Sequence, residues 1–138
     1  MKSNIIVDTG PLVAFLNRND QYHEWTKHQF KILKPPFYTC ESVLSEACFM
    51  LRNQENTQLA LLEYFHRELV IIAFELKPEI DAIRKLMAKY QTVPMSLADA
   101  CLVRMSEEYP ENVVLTLDSD FKIYRKHGRQ HIDVLIPE

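Results

Sequence analysis

Glycine is scarce in this chain, with Gly10 and Gly128 the two among 138 residues. The dinucleotide-binding fingerprint and the phosphate-binding P-loop each need several glycines at fixed spacing, so neither can be built, and a nucleotide cofactor is not expected. Cysteine is also rare, and Cys40, Cys48 and Cys101 are odd in number, far apart and set among apolar residues. This pattern favours reduced thiols in an intracellular core over a disulfide framework or a zinc site.

Long hydrophobic runs are missing too. No stretch of the sequence approaches the roughly 20 apolar residues that cross a bilayer, and the first residues hold too short an apolar run for a signal peptide. The formal net charge is −3 at pH 7, which does not favour general attraction to nucleic acid but is compatible with a local basic surface. We therefore expect a soluble, cytoplasmic protein without membrane contact, folded as a single domain over residues 1–138.

Apolar runs typical of buried strands alternate with segments of helical spacing. Strands are predicted at 5–7, 37–39, 70–73, 113–117 and 132–136. Helices are predicted from Pro11, over 39–51, over 57–65, from Pro78 and from Ser96. This alternation indicates an α/β fold of three layers (α/β/α) around a central, roughly five-stranded parallel sheet. Ligands of such folds bind outside the carboxyl ends of the strands.

Acidic residues recur at positions that point to this edge. Asp8 follows the apolar run IIV, and Asp118 follows VVLTL in the same way, with Asp120 two residues further on. Glu46 lies on the shoulder of the apolar stripe of its predicted helix. Asp99 lies near the start of the most apolar helix, so its helical neighbours are apolar. These acids are predicted to converge at one edge of the sheet.

Each acid also has a purely structural interpretation. Ser96 and Asp99 fit a capping box, Asp118 can cap a short helix in DFKIYRK, Glu46 can lie in solvent, and Asp8 can bond the amides of the next turn. Together, however, acids about 4 Å apart repel by about 4 kcal/mol per pair at an effective dielectric near 20. Something must compensate this repulsion, and a bound cation would do so. No histidine or cysteine accompanies them in metal-ligand spacing, so an all-oxygen site for Mg²⁺ or Mn²⁺ is favoured over zinc.

Four segments, IIVDTGPLVAFLNRND, ESVLSEACFML, SLADACLV and VVLTLDSDFKIYR, resemble in this order the PIN domain, and most closely the compact ribonucleases typified by VapC toxins. The resemblance spans almost the whole chain and implies a five-stranded parallel sheet between helices. It implies that the catalytic and metal-binding acids are Asp8, Glu46, Asp99 and Asp118, supported by Thr9, Thr116 and Asp120. Whether Asp118 or Asp120 contacts the metal directly stays open.

By this resemblance the chain is a Mg²⁺- or Mn²⁺-dependent endoribonuclease whose products carry 5′-phosphate and 3′-hydroxyl ends. The implied role is the toxin of a type II toxin–antitoxin pair, and the implied partners are RNA, a cognate antitoxin protein and a second copy of the chain. Two alternatives stay open. In the first alternative, the chain is a PIN nuclease of RNA processing or turnover outside a toxin pair. In the second, it is a non-catalytic PIN-like module that binds RNA or a protein.

A basic stretch with one aromatic residue, KIYRKHGRQH, follows Asp118. Such a stretch can grip phosphates and stack on a base. The residues concerned are Lys122, Tyr124, Arg125, Lys126, His127, Arg129 and His131. The alternative is a solvated helix end that stops at Gly128. Arg18, with Asn17 and His23, in the loop predicted after the first helix, is a further candidate for RNA binding.

Overall fold

The structure, a computed structural model, describes residues 3–138. In chain order its strands and α-helices are β1 (Asn4–Val7), α1 (Thr9–Leu16), α2 (His23–Leu33), β2 (Phe37–Thr39), α3 (Glu41–Met50), α4 (Thr57–His66), β3 (Val70–Ile72), α5 (Ile80–Lys89), α6 (Leu97–Glu108), β4 (Asn112–Leu115), β5 (Arg125–Lys126), β6 (Gln130–His131) and β7 (Val134–Leu135). Two short 3-10 helices lie at Lys77–Glu79 and Ser119–Lys122. Over these residues, no helix is both long and apolar enough to span a bilayer.

Five of the strands form one parallel sheet in the order β3-β2-β1-β4-β7. The chain therefore builds outward from β1 in one direction through β2 and β3, and then returns to add β4 and β7 on the other side. This reversal makes the crevice beyond the ends of β1 and β4 the switch point of the sheet, where ligands of open α/β folds bind. The predicted five-stranded parallel sheet, flanked by helices, is confirmed.

The centre of the sheet forms the core because its strands are covered on both faces. Ile6 and Val7 of β1 and Val114 and Leu115 of β4 have no exposed surface. Parallel strands buried in this way need continuous apolar runs, which explains why IIV and VVL carry no alternating polar residues. Both runs end at a polar residue on the same edge, so the pattern that builds the core also delivers the acids to the switch point.

Two segments differ from their predicted structure. The loop predicted around His23 ends at that residue, because α2 begins there and packs Trp25 and Phe30 against the core. The helix predicted in DFKIYRK is limited to the 3-10 turn Ser119–Lys122, and β5 and β6 then pair as an antiparallel hairpin. His127 and Gly128 connect these strands with φ of 51° and 81°, the left-handed conformation of a tight turn between two antiparallel strands. The solvated helix end considered for this stretch is therefore wrong.

Candidate active site

Asp8 is fixed at the switch point by hydrogen bonds to both neighbouring elements. Its backbone N–H donates to the Leu115 carbonyl at 3.0 Å and so extends the pairing of β1 with β4. Its Oδ1 accepts from the Thr9 N–H at 2.7 Å, which caps α1, and its Oδ2 accepts from the Thr116 hydroxyl at 2.7 Å. The residue is 6% exposed. The turn-bonding role considered for Asp8 is thus present, but it leaves a buried carboxylate at the edge where ligands bind.

Burial raises the pKa of the Asp8 carboxyl to about 7. The hydrogen bonds from Thr116 and Thr9 oppose this rise, while the charges of Asp99 and Asp118 add to it. A group that titrates near neutrality because it is buried among like charges is typical of a functional site, since a cation or a proton must compensate it.

One cavity of about 250 Å³ collects the acids that the sequence singled out. Its lining residues are Asp8, Thr9, Gly10, Glu46, Met50, Asp99, Leu117 and Asp118. Glu46 comes from α3 and Asp99 from α6, whereas Asp8 and Asp118 follow β1 and β4. Four separate elements therefore bring their carboxylates to one cavity, as the sequence predicted for this edge.

Asp99 combines a structural role with its place in the cavity. The capping box is present, because the Asp99 N–H donates to Ser96 Oγ at 3.0 Å and Asp99 Oδ2 accepts from the Ser96 N–H at 3.3 Å. The same Oδ2 accepts from the Tyr124 hydroxyl at 3.0 Å. Burial raises the pKa of Asp99, and the hydrogen bonds from Ser96 and Tyr124 counter part of this rise.

The two remaining acids of the cavity, Glu46 and Asp118, are half-buried. Burial is the main cause that raises the pKa of Glu46, and the negative charge of Asp99 adds to this rise. Asp118 is held by two hydrogen bonds, since its N–H donates to Thr116 Oγ1 at 2.9 Å and its Oδ1 accepts from the Asp120 N–H at 2.9 Å. Asp118 lines the cavity and Asp120 does not. The geometry therefore favours Asp118 over Asp120 as the acid that meets a ligand.

The donor set of this cavity fits a hydrated divalent cation. All the charged groups that line it are carboxylates, and the buried Thr9 Oγ1 has no hydrogen-bond partner among residues 3–138. In this same part of the chain, no three His, Cys, Asp or Glu side chains close into a tight ligand cluster. Mg²⁺ binds through one or two carboxylates and keeps several waters, so it does not require a closed cluster.

Thr116 links two of the acids, because its hydroxyl donates to Asp8 and accepts from the Asp118 N–H. We expect Thr116→Val to lower the free energy of unfolding by about 1–3 kcal/mol, the usual cost of unpaired buried polar groups. We also expect a higher Asp8 pKa, because the lost hydrogen bond favours the carboxylate. Urea denaturation and carboxyl ¹³C NMR titration measure the two effects.

Thr39→Val is the matched control for this substitution. Thr39 is equally buried, and its hydroxyl donates to the Val7 carbonyl at 2.7 Å rather than to an acid. This variant should lose comparable stability and leave the Asp8 titration unchanged. Equal Asp8 pKa values in the Thr116 and Thr39 variants would contradict the proposed role of Thr116.

Tyr124 occupies a different environment from the one that the sequence predicted. The residue has no exposed surface, and its ring meets Tyr90 and Phe121 edge-on, with centroids 5.1 and 5.2 Å apart. A buried ring has no free face for a base, so the prediction that Tyr124 stacks on RNA is wrong. Burial, followed by the charge of Asp99, raises its pKa, so the hydroxyl remains a donor.

Among the basic side chains of the 3-10 turn and the hairpin, Arg125 is engaged in hydrogen bonds within the chain, whereas others are open to solvent. Arg125 Nη1 donates to the carbonyl oxygens of Lys122, Ile123 and Tyr124 at 2.8, 2.8 and 3.1 Å and so closes the 3-10 turn. Lys122 and Arg129 are exposed, and Lys126 is half-buried. His127 and His131 are exposed as well. Predicted RNA contacts thus remain available at Lys122, Lys126 and Arg129, whereas Arg125 is engaged within its own turn.

The residues after α1 divide in the same way. Arg18 is exposed beside the half-buried Asn17. His23 Nδ1 lies 2.8 Å from the Ala14 carbonyl oxygen, so this ring joins α2 to α1. Arg18 therefore remains a candidate for binding RNA, and His23 is better explained by its packing role.

Comparison with known proteins decides the family. The model of the PIN domain family matches residues 5–127. The chain belongs to the PIN domain family. The sequence motifs had predicted this membership, and it is confirmed. A search of curated proteins finds no match for this PIN domain.

The PIN domain described above is also similar to a solved structure. VapC20 of Mycobacterium tuberculosis, described as a toxin that cleaves the sarcin-ricin loop, superposes with a TM-score of 0.77 at 21% sequence identity. The match covers 87% of this chain and 94% of VapC20. The two proteins therefore share one fold, and the VapC-like architecture that the sequence suggested is confirmed.

Proposed function

We propose that this PIN domain is a metal-dependent endoribonuclease. The observation that carries the proposal is the convergence of Asp8, Glu46, Asp99 and Asp118 on one cavity at the switch point of the sheet. A non-catalytic module has no need to bury a carboxylate among like charges, because such an arrangement is costly without a cation. The intact acidic set therefore supports an enzyme over a binding module.

The proposed chemistry assigns a role to each group. Asp8, the most buried acid, and Asp99 would hold Mg²⁺ or Mn²⁺, with Asp118 and Glu46 completing the acidic wall. When bound, the ion lowers the pKa of a water and offsets charge on the scissile phosphate during in-line displacement. Thr116 fixes the position of Asp8 relative to Asp118, because its hydroxyl donates to the Asp8 carboxylate and accepts from the Asp118 N–H. Thr9 supports the site through its backbone, because its N–H donates to Asp8 Oδ1 at 2.7 Å.

Cleavage of a mixed RNA pool by purified protein tests this function. We expect cutting with Mg²⁺ or Mn²⁺, none with EDTA, and products with 5′-phosphate ends. Mapping the ends with a 5′-phosphate-dependent exonuclease separates this chemistry from metal-independent ribonucleases, which leave 5′-hydroxyls. Binding of RNA without cutting under either metal, by protein shown to be folded, would favour the binding module instead.

The basic side chains Lys126 and Arg129 of the β5–β6 hairpin are proposed to bind the RNA phosphates. We expect the double variant Lys126→Ala, Arg129→Ala to bind RNA more weakly and to show a shallower salt dependence, with the log–log slope reduced by about 1 per lost phosphate contact. Cleavage at saturating RNA should change little, because neither residue lines the acidic cavity. Fluorescence anisotropy from 50 to about 300 mM salt measures the slope.

A matched control for the hairpin variant is Arg67→Ala. Arg67 is exposed and lies just before β3, at the amino ends of the strands and thus at the opposite edge of the sheet from the acids. Its removal should leave both affinity and salt slope unchanged. If the Arg67 variant weakened RNA binding as much as the hairpin variant, the hairpin would have no special place in the interface.

We further propose that the nuclease is the toxin of a type II pair, with an antitoxin protein and a second copy of the chain as partners. The fold shared with VapC20, itself a toxin, supports this role. A gene immediately upstream whose product binds the protein and stops cleavage is the expected finding. A chain that cuts RNA but has no such neighbour would instead be a PIN nuclease of RNA processing or turnover. Sedimentation equilibrium tests the homodimer, and we expect a mass of twice the 16.2 kDa of the single chain.

A further inference from the structure

Tyr124 connects the buried core to one acid of the cavity. Its hydroxyl donates to Asp99 Oδ2 at 3.0 Å, and the Ser96 N–H donates to the same oxygen at 3.3 Å. Over residues 3–138 the other oxygen, Oδ1, accepts no hydrogen bond. Both hydrogen bonds therefore hold the carboxylate at the same oxygen, and Asp99 lines the cavity.

The position of the Tyr124 hydroxyl is set by rigid packing. The ring has no exposed surface and lies between Phe121 and Tyr90, with interplanar angles of 85° and 69°. Tyrosine has two side-chain torsions, and both are fixed when the ring is enclosed by other rings. The hydroxyl therefore marks a fixed point against which the Asp99 carboxylate is oriented. Ser96 alone fixes the carboxylate less firmly, because its contact is longer and comes from the first turn of the helix that carries Asp99.

We propose that Tyr124 is a positioning residue that orients Asp99 so that Oδ1 is presented to the divalent cation. This inference rests on the proposed function, since it assigns a role toward the cation that Asp99 would bind. Removing a group that hydrogen-bonds to a metal ligand typically weakens metal binding by about 10–100-fold. Tyr124→Phe removes the hydroxyl alone and keeps the enclosed ring.

The test measures Mn²⁺ binding by isothermal titration calorimetry in the absence of RNA. We expect Tyr124→Phe to weaken Mn²⁺ binding by about 10-fold or more. Cleavage by the variant should be impaired at low Mn²⁺ and should recover as Mn²⁺ is raised, because the defect lies in affinity. Because Mn²⁺ also stabilises the folded state, circular dichroism at each Mn²⁺ concentration should show a folded variant, which separates lost affinity from lost packing.

Tyr90→Phe is the control from the same aromatic group. The Tyr90 hydroxyl accepts from the Arg125 N–H at 2.9 Å and its ring meets Tyr124, but it contacts no acid of the cavity. It should bind Mn²⁺ as wild type does, within about threefold, even if it unfolds more easily. Equal Mn²⁺ affinity in wild type and Tyr124→Phe, with wild type cutting RNA, would overturn the role of Tyr124 alone. Wild type that neither binds Mn²⁺ nor cuts would overturn the proposed function as well.

Discussion

Asp8→Asn should abolish RNA cleavage, with a loss of at least about 10³-fold, the scale seen when a group acting on the transition state is removed. Asparagine keeps the size of the side chain and can still accept from the Thr9 N–H, but it removes the negative charge that a cation needs. Asp8 is the buried acid at the end of β1, where its backbone N–H pairs with Leu115 of β4, so we expect the other acids to replace it poorly. Single-turnover cleavage of a defined RNA with Mn²⁺ measures the effect.

Asp81→Asn controls for the general loss of a carboxylate. Asp81 is exposed on α5, where it pairs with Arg84 and Lys85, and it lies outside the acidic cavity. This variant should cleave as wild type does. Cleavage by Asp8→Asn at the wild-type rate, after removal of any contaminating nuclease, would show that the acidic cavity is not the active site.

The second large effect concerns stability in EDTA, where no cation compensates the acids. Burial raises the pKa of Asp8 from 3.8 to about 7, so between these values the folded chain holds a proton that the unfolded chain has released. The free energy of unfolding must therefore fall as the pH rises from about 4 to about 7. A shift of this size corresponds to at most about 4 kcal/mol. The raised pKa values of Glu46 and Asp99 act in the same direction.

Asp8→Asn should remove most of this pH dependence. At pH 8 in EDTA we expect the variant to be more stable than wild type by up to about 4 kcal/mol, and the gap should close as the pH falls to 3.8, below which Asp8 is mainly protonated in both states. Urea denaturation at a series of pH values measures the gap, and Asp81→Asn should follow the wild-type curve. Parallel curves for wild type and Asp8→Asn would show that Asp8 titrates normally.

Addition of Mn²⁺ should narrow the stability gap at pH 8 and should reverse the order of stability above about 1,000 times the Kd, where the gain exceeds about 4.1 kcal/mol. A ligand that binds the folded state alone stabilises it by about 2.7 kcal/mol at 100 times its Kd. Wild type should gain this stability, whereas Asp8→Asn should gain little. The same residue thus destabilises the metal-free protein and stabilises the metal-bound one, as expected for a charge kept for binding rather than for folding.

The fold and the acids could be predicted because both follow from local patterns. Apolar runs marked the buried strands, and the ends of those runs marked Asp8 and Asp118. The helical spacing around Glu46 and Asp99 placed them beside apolar stripes. A parallel sheet brings its carboxyl ends to one edge, so local positions were sufficient to predict which acids share a cavity.

The environment of Tyr124 could not be predicted, because it depends on contacts between distant segments. Its sequence neighbours are basic, which suggested a surface that binds RNA. Its ring is instead enclosed by Phe121 and by Tyr90, the residue that ends α5. The partner of its hydroxyl, Asp99, lies 25 residues away. The hairpin was missed for a related reason, since His127 takes a left-handed conformation that its residue type does not signal.

The pairing of β1 with β4 also determines when the site forms during synthesis. The Thr116 hydroxyl and the Asp8 carboxylate that it holds are 108 residues apart, and chains are made from the amino end. A ribosome that has made only the first hundred residues has therefore made Asp8, Glu46 and Asp99 but not β4, the strand that completes their cavity. The acidic cavity can therefore assemble only after β4 has been made and has paired with β1.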